Sequence, residues 1–446
     1  RSATRRGHRM GRVRRGTIGC SRADVVPPSS SRPPTLAWKM PLAAVALLLA
    51  AAIWLIGLVG SLTRPSVAPT LQLQQQELTL LAQPAVPEAL QPVLIGADPR
   101  NVLLQALENA QDRLDQRQQH LLTLLSSEPG DAPELGPLAE DDALLVRLRC
   151  EAAGGPADGC ANSSASQAAA LRLGLSIALP VLSVVLGSLL LLRQGWLIAL
   201  RRQNPWPPLQ GPALTLVDMV LLVAGGFVVV SAVGVPVVAA PLVQTLTSGL
   251  ASPRKEALGV VIQYGVMALP SVLILRRQLR ALPHESAPAD GWLQWKLKPM
   301  LPALGAAVAG WLMVTPVVTF TGWLLVRLLG EPGGSNPLLE LVLSSRDPIA
   351  LGLMAFTAVV LAPLFEEVIF RGALLPVLTE SVGVFWGVVL SGLTFGLAHI
   401  SIGELAPLTV LGIGLALLRL SSGRLLPCVV MHALWNAVTF FNLLLL

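Results

Sequence analysis

Residues 349–378 read IALGLMAFTAVVLAPLFEEVIFRGALLPVL, a run uncharged except at Glu366, Glu367 and Arg371. A bilayer core about 30 Å thick takes about 20 apolar residues of helix, whereas a barrel strand takes only about 9–11. This run is therefore long enough to span as a helix and far too long to be a strand. Within such a span an acid or an arginine costs about 2.5–3.5 kcal/mol on insertion scales. The charged knot in its middle is accordingly where function is to be sought.

Further apolar runs lie on both sides, at about 41–62, 173–192, 216–238, 257–275, 301–326, 382–400, 405–419 and 425–446. With 349–378 they make nine, of which 405–419 is short for a span. Backbone groups in lipid must be satisfied within the segment, so long apolar runs imply helices. The expected fold is all-α: a polytopic transmembrane helical bundle of about eight to nine spans with a helical extramembrane insertion. Composition agrees. Of the 446 residues 53% are hydrophobic and only 13% charged, about half the share usual in soluble domains. Four scattered cysteines exclude a disulfide scaffold and show no zinc-finger spacing.

Charge divides the chain. Residues 1–39 carry nine Arg and one Lys against one Asp, and residues 63–167 carry 14 acids against six Arg. A basic tail placed directly before an apolar run is explained by the positive-inside rule, with no need of nucleic acid. The tail is rich in Arg, Ser and Pro and is expected to be disordered. The chain begins with Arg, so Met10 and Met40 are both candidate initiators. The run from Met40 to Leu62 exceeds a signal-peptide core of roughly 7–15 residues and reads as a retained anchor. With the N-terminus cytoplasmic, Arg193, Arg201, Arg202, Arg276, Arg277, Arg280, Lys296, Lys298 and Arg424 all fall inside and the acidic segment outside. Arg254 and Lys255 are exceptions.

The segments are thus a basic tail (1–39), a first anchor (40–62), an acidic extramembrane helical segment (63–167), further transmembrane helices (168–347) and a polar-bearing core (348–446). In the acidic segment Leu103, Leu107, Ala110, Leu114, Leu121 and Leu124 recur at three- and four-residue steps, as on one amphipathic helix. Its apolar stripe is expected to dock on neighbouring helices, with Arg117 interrupting it. Cys150 and Cys160 flank a Gly/Pro-rich turn and are placed to pair if that side is oxidising.

Polar groups gather in the last hundred residues. Glu367 and Arg371 are four apart, share a helix face and are read as a mutually neutralising pair. Glu366 points about 100° away and has no local partner. A desolvated, unpaired carboxylate makes a good proton acceptor near neutral pH. His399, His432 and Asn436 lie in neighbouring runs. Phe395, four before His399, is read as packing, and Gly392 and Gly396 form a GxxxG step that admits a close helix. Glu366 as base, a histidine and the Asn436 amide as oxyanion donor meet the needs of water-mediated peptide hydrolysis. Glu366, His399 and His432 also make a donor set for zinc, although HExxH is absent. No phosphate loop or GxSxG elbow is present.

Three strings in order, EEVIFR (366–371), FGLAH (395–399) and HALWN (432–436), match EExxxR, FxxxH and HxxxN. On successive apolar helices they resemble the CPBP family of intramembrane proteases, which includes type 2 CAAX prenyl proteases and bacteriocin-processing proteins. The resemblance covers about residues 348–446. It implies an intramembrane endopeptidase acting on a membrane-associated or lipidated protein or peptide. Glu366 would activate water, His399 would be its catalytic partner, and His432 and Asn436 would complete the site. Glu367, Arg371 and Phe395 would support it. Whether a divalent metal (zinc, on Glu366, His399 and His432) or none takes part is left open, and no nucleic acid is implied. Competing readings are a proton-coupled transporter and a catalytically silent scaffold. His399 lies near the end of its run and Glu366 mid-helix, so they meet only if a helix is tilted, broken or re-entrant, and Pro363, Gly372 and Pro376 offer places for a break.

Overall fold

The computed structural model describes residues 36–446 apart from 65, 97, 112–113, 129, 131–141, 203, 331–332 and 334–336. The basic tail, up to residue 35, lies outside the described residues. In chain order the helices are α1 (Lys39–Ser61), α2 (Ala68–Ala82), α3 (Pro99–Glu108), α4 (Gln116–Ser126), α5 (Ala143–Ala152), α6 (Ser163–Ala199), α7 (Leu216–Leu246), α8 (Arg254–Arg280), α9 (Met300–Leu329), α10 (Pro337–Ser344), α11 (Pro348–Val382), α12 (Val384–Ala398), α13 (Ile402–Ser422) and α14 (Leu426–Leu445), with single turns between some of them. No strand occurs among the described residues.

Eight of these are long and apolar enough to cross a membrane: α1, α6 to α9, α11, α13 and α14. This corrects the ninefold reading at one place. The run at 382–400 is the short one, because Gly383 (φ 84°) starts α12 late and His399 caps it early. Its 15 residues reach only about 22 Å. The run read as short, 405–419, extends to 21 residues, its Arg419 fully buried and donating to the Gln210 carbonyl at 2.8 Å.

The expected break in α11 is absent. The helix runs on for 35 residues, widened into π-helical turns at Thr357–Leu361 and Val368–Leu374. A proline has no N–H and its ring clashes with the carbonyl four residues back. Pro363 and Pro376 each follow a widened stretch by two residues, so the widening admits the ring without ending the helix. Such turns often mark functional sites, and Glu366 and Glu367 lie between the two.

The GxxxG step behaves as read. A Cβ at Gly392 would stand 2.9 Å from the Thr409 carbonyl, and one at Gly396 2.8 Å from that of Leu405. The missing side chains let α12 lie against α13 at backbone contact.

The acidic segment has a core of its own, and α2 docks it on α6 through Leu78 and Ala82 against Ala169 and Leu173. Leu103, Leu107, Leu121, Leu124 and Leu148 are fully buried together. They come from three helices, which corrects the single amphipathic stripe. α4 begins anew at Asp115, whose side chain accepts from the Gln118 backbone N–H while the Asp115 backbone N–H donates to Gln118 Oε1. Arg117 is no defect in the stripe, since it reaches Glu77 at 2.6 Å and Asp142 at 2.5 Å and ties α4 to α2 and to the start of α5. Cys150 and Cys160 form a disulfide.

Contacts sort the loops by face. Arg424 donates to the Lys296 and Pro299 carbonyls, joining two loops read as lying on the same side. On the opposite face Gln74 donates to the Leu343 carbonyl, and Arg254 meets Asp347 at 2.8 Å. The first exception to the charge rule is therefore matched by an acid in the next loop on the same face. The Ala350 backbone N–H, with Arg254, holds the Asp347 carboxyl below its usual range.

Candidate active site

The charged knot of α11 is buried. Glu366 is 7% exposed, and Glu367 and Arg371 are not exposed at all. Arg371 Nη1 donates to Glu367 Oε1 at 2.8 Å, as the four-residue spacing predicts. A second donor reaches the same oxygen: His432 Nδ1, from α14, at 3.0 Å. Arg371 Nη2 donates to the Gly412 carbonyl of α13 at 3.0 Å. Glu367 thus joins α11 to α14 and, through Arg371, to α13.

Glu366 faces elsewhere. Its Oε1 accepts from the Tyr264 hydroxyl of α8 at 3.0 Å. Its Oε2 is buried and has no partner, and no ion pair to Glu366 occurs among the described residues. Glu367 Oε2 is also unpartnered, but the charge of Glu367 is already met by Arg371 and His432. Tyr264 is the only tyrosine in the chain and was not singled out by spacing. Its one signal was to be a lone phenol inside an apolar run.

Phe395 is more than packing. Its fully buried ring lies 4.4 Å beneath the Arg371 guanidinium carbon and touches Phe370, His399 and His432, with ring centroids 5.5, 5.0 and 5.5 Å away. Both histidines are therefore set against one ring. His399 Nδ1 contacts the Phe395 carbonyl at 2.9 Å. A carbonyl only accepts, so Nδ1 is the donor, and in the neutral ring Nε2 carries the lone pair. Glu367 Oε1, which already accepts from Arg371, gives His432 Nδ1 the same donor role.

Asn436 donates Nδ2 to the Ala358 carbonyl at 2.7 Å. That carbonyl lies in the first widened turn, where the partner five residues on is Pro363, which has no N–H. Asn436 supplies the missing donor. An amide nitrogen carries two hydrogens, so one remains.

The structure therefore brings together Glu367, Arg371, Phe395, His399 and His432 around one ring, with Glu366 beside them on α11 turned to Tyr264, and Asn436 on Ala358. It does not gather Glu366, His399 and His432 into a metal site. Among the described residues no three His, Cys, Asp or Glu side chains are grouped to hold a metal ion. The donor set read for zinc does not fit as arranged.

Residues 348–438 match the family described as type II CAAX prenyl endopeptidase, Rce1-like. The match contains all three strings read from the sequence and agrees with the CPBP resemblance. Residues 68–140 match a domain of unknown function, DUF8675. No curated protein and no solved structure matches the chain. The Rce1-like stretch spans α11 to most of α14. Tyr264, which holds Glu366, lies outside it.

Proposed function

We propose that this chain is an intramembrane endopeptidase that hydrolyses peptide bonds of membrane-associated or lipidated proteins with water activated by Glu366. The observation that carries the reading is the contrast between two adjacent glutamates. Glu367 is neutralised by Arg371 and His432, whereas Glu366 has one oxygen fixed by Tyr264 and the other free. A buried carboxylate with one oriented, unpartnered oxygen is suited to take a proton from water.

In this reading Glu366 Oε2 accepts a proton from water as the water oxygen adds to the scissile carbonyl carbon. The Nε2 lone pair of His399 holds the second hydrogen of that water. The remaining N–H of Asn436 donates to the oxyanion. The C–N bond then breaks as Glu366 returns its proton to the leaving nitrogen, which gives a new carboxylate and a new amine. His432, held by Glu367, keeps the Phe395 ring and hence His399 in place. No step is drawn through a metal, because the groups named for it are not gathered.

The test is a comparison of new protein N-termini in membranes of cells expressing the wild type or Glu366→Gln. Termini that appear with the wild type and vanish with Glu366→Gln, at equal amounts of folded protein, are expected. An unchanged set overturns the reading.

A further inference from the structure

The turn that carries His399 is held by a helix far away in sequence. His399 caps α12, Ser401 caps α13, and Ile400 alone joins them. Ile400 has φ of 50°, a left-handed conformation that suits Gly or Asn and is an outlier for a β-branched side chain. Two side chains from the end of α1 hold this turn. Arg64 Nη2 donates to the Ile400 carbonyl at 2.8 Å. The fully buried Ser61 accepts from the Ile402 backbone N–H at 3.0 Å. The Ile400 side chain lies over Gly57, where a Cβ would stand 2.2 Å from its Cγ2.

We infer that Arg64 and Ser61 are positioning residues for His399, acting through the backbone of Ile400 and Ile402. This rests on the catalytic role proposed for His399. A strained turn persists only where its surroundings over-determine it, and here the surroundings are supplied by α1. The anchor, which lies outside the Rce1-like stretch, is in this view part of the active site. Arg64 also stands where α1 leads into the extramembrane layer, so the His399 end of the site opens on the face that carries that layer.

The experiment measures the rate at which diethyl pyrocarbonate modifies each histidine in the full-length protein, with peptide mass spectrometry as readout. His399 is half-buried with its Nδ1 on the Phe395 carbonyl, and exposed His284 serves as internal reference. Arg64→Ala is expected to change the His399 rate severalfold and leave His284 unchanged, with Arg64→Lys close to the wild type. Cleavage of a quenched prenylated CAAX peptide should fall about 10- to 100-fold in kcat with KM within a factor of about two, since the substrate site is untouched. A His399 rate unaltered in folded Arg64→Ala overturns the inference. If Arg64→Ala proves unstable, Ser61→Ala is read in the same way. A shifted His399 rate in a protein whose wild type cleaves no substrate sustains the clamp and sinks the protease reading instead.

Discussion

Glu366 and Glu367 differ in surroundings because a helix turns about 100° per residue. The four-residue spacing to Arg371 made the Glu367 pair legible in the sequence, and periodicity showed Glu366 facing away from it. What Glu366 meets there was not legible, since Tyr264 is 102 residues distant and no local pattern links a phenol on α8 to an acid on α11. The second partner of Glu367, His432, is 65 residues away and was read as part of the water site for the same reason. Glu367→Gln leaves Arg371 buried beside a neutral amide. Breaking one partner of a buried pair costs about 3–5 kcal/mol, so this variant should melt far below the wild type in detergent, whereas Glu366→Gln should melt near it. Tyr264→Phe removes a hydrogen bond to a charged group, valued at about 1.5–3 kcal/mol. It is expected to lower kcat about 10- to 100-fold and the melting temperature by several degrees.

Helix boundaries followed capping and proline chemistry more than hydropathy. The run 382–400 looks like a span by composition, yet Gly383 and His399 confine it to 15 residues. Pro363 and Pro376 look like breaks, yet π-helical turns absorb them. The cost of that widening is an unpaired Ala358 carbonyl, which Asn436 satisfies, a linkage across 78 residues that spacing alone could not reveal. In the extramembrane layer the periodic leucines were legible as a buried face, but the fresh start of α4 at Asp115 hid their division between helices. The Cys150–Cys160 bridge closes a loop with a sequence separation of 10, and in the chain-entropy account such a loop contributes about 3 kcal/mol. Cys150→Ser with Cys160→Ser should therefore lower the unfolding temperature of this layer, followed by hydrogen exchange at α5, and leave exchange in α11 unchanged.

Across the whole molecule the loops fall on two faces, one with Arg424 on the Lys296 and Pro299 carbonyls, the other with Arg64, Arg254 and the disulfide. We propose that the first is cytoplasmic, following the positive-inside rule. The disulfide is consistent with an oxidising environment on the second. In a Cys20→Ser background the remaining thiols are bonded or buried, so introduced cysteines report cleanly. Exposed Glu88→Cys should react with an impermeant maleimide on intact cells, and Ser286→Cys only after lysis; the reverse pattern inverts the topology. The eight spans and the three ordered motifs were legible because length, hydropathy and charge are local. The way α1 meets the start of α13 and α8 meets α11 was not, because those contacts join residues 336 and 102 positions apart. The central claim, that a buried carboxylate on α11 activates water for peptide hydrolysis, is met most directly by cleavage in H₂¹⁸O. Purified wild type in proteoliposomes should place ¹⁸O in the new C-terminal carboxylate, and Glu366→Gln, melting near the wild type, should yield no product. Labelled product from Glu366→Gln at the wild-type rate would contradict the account.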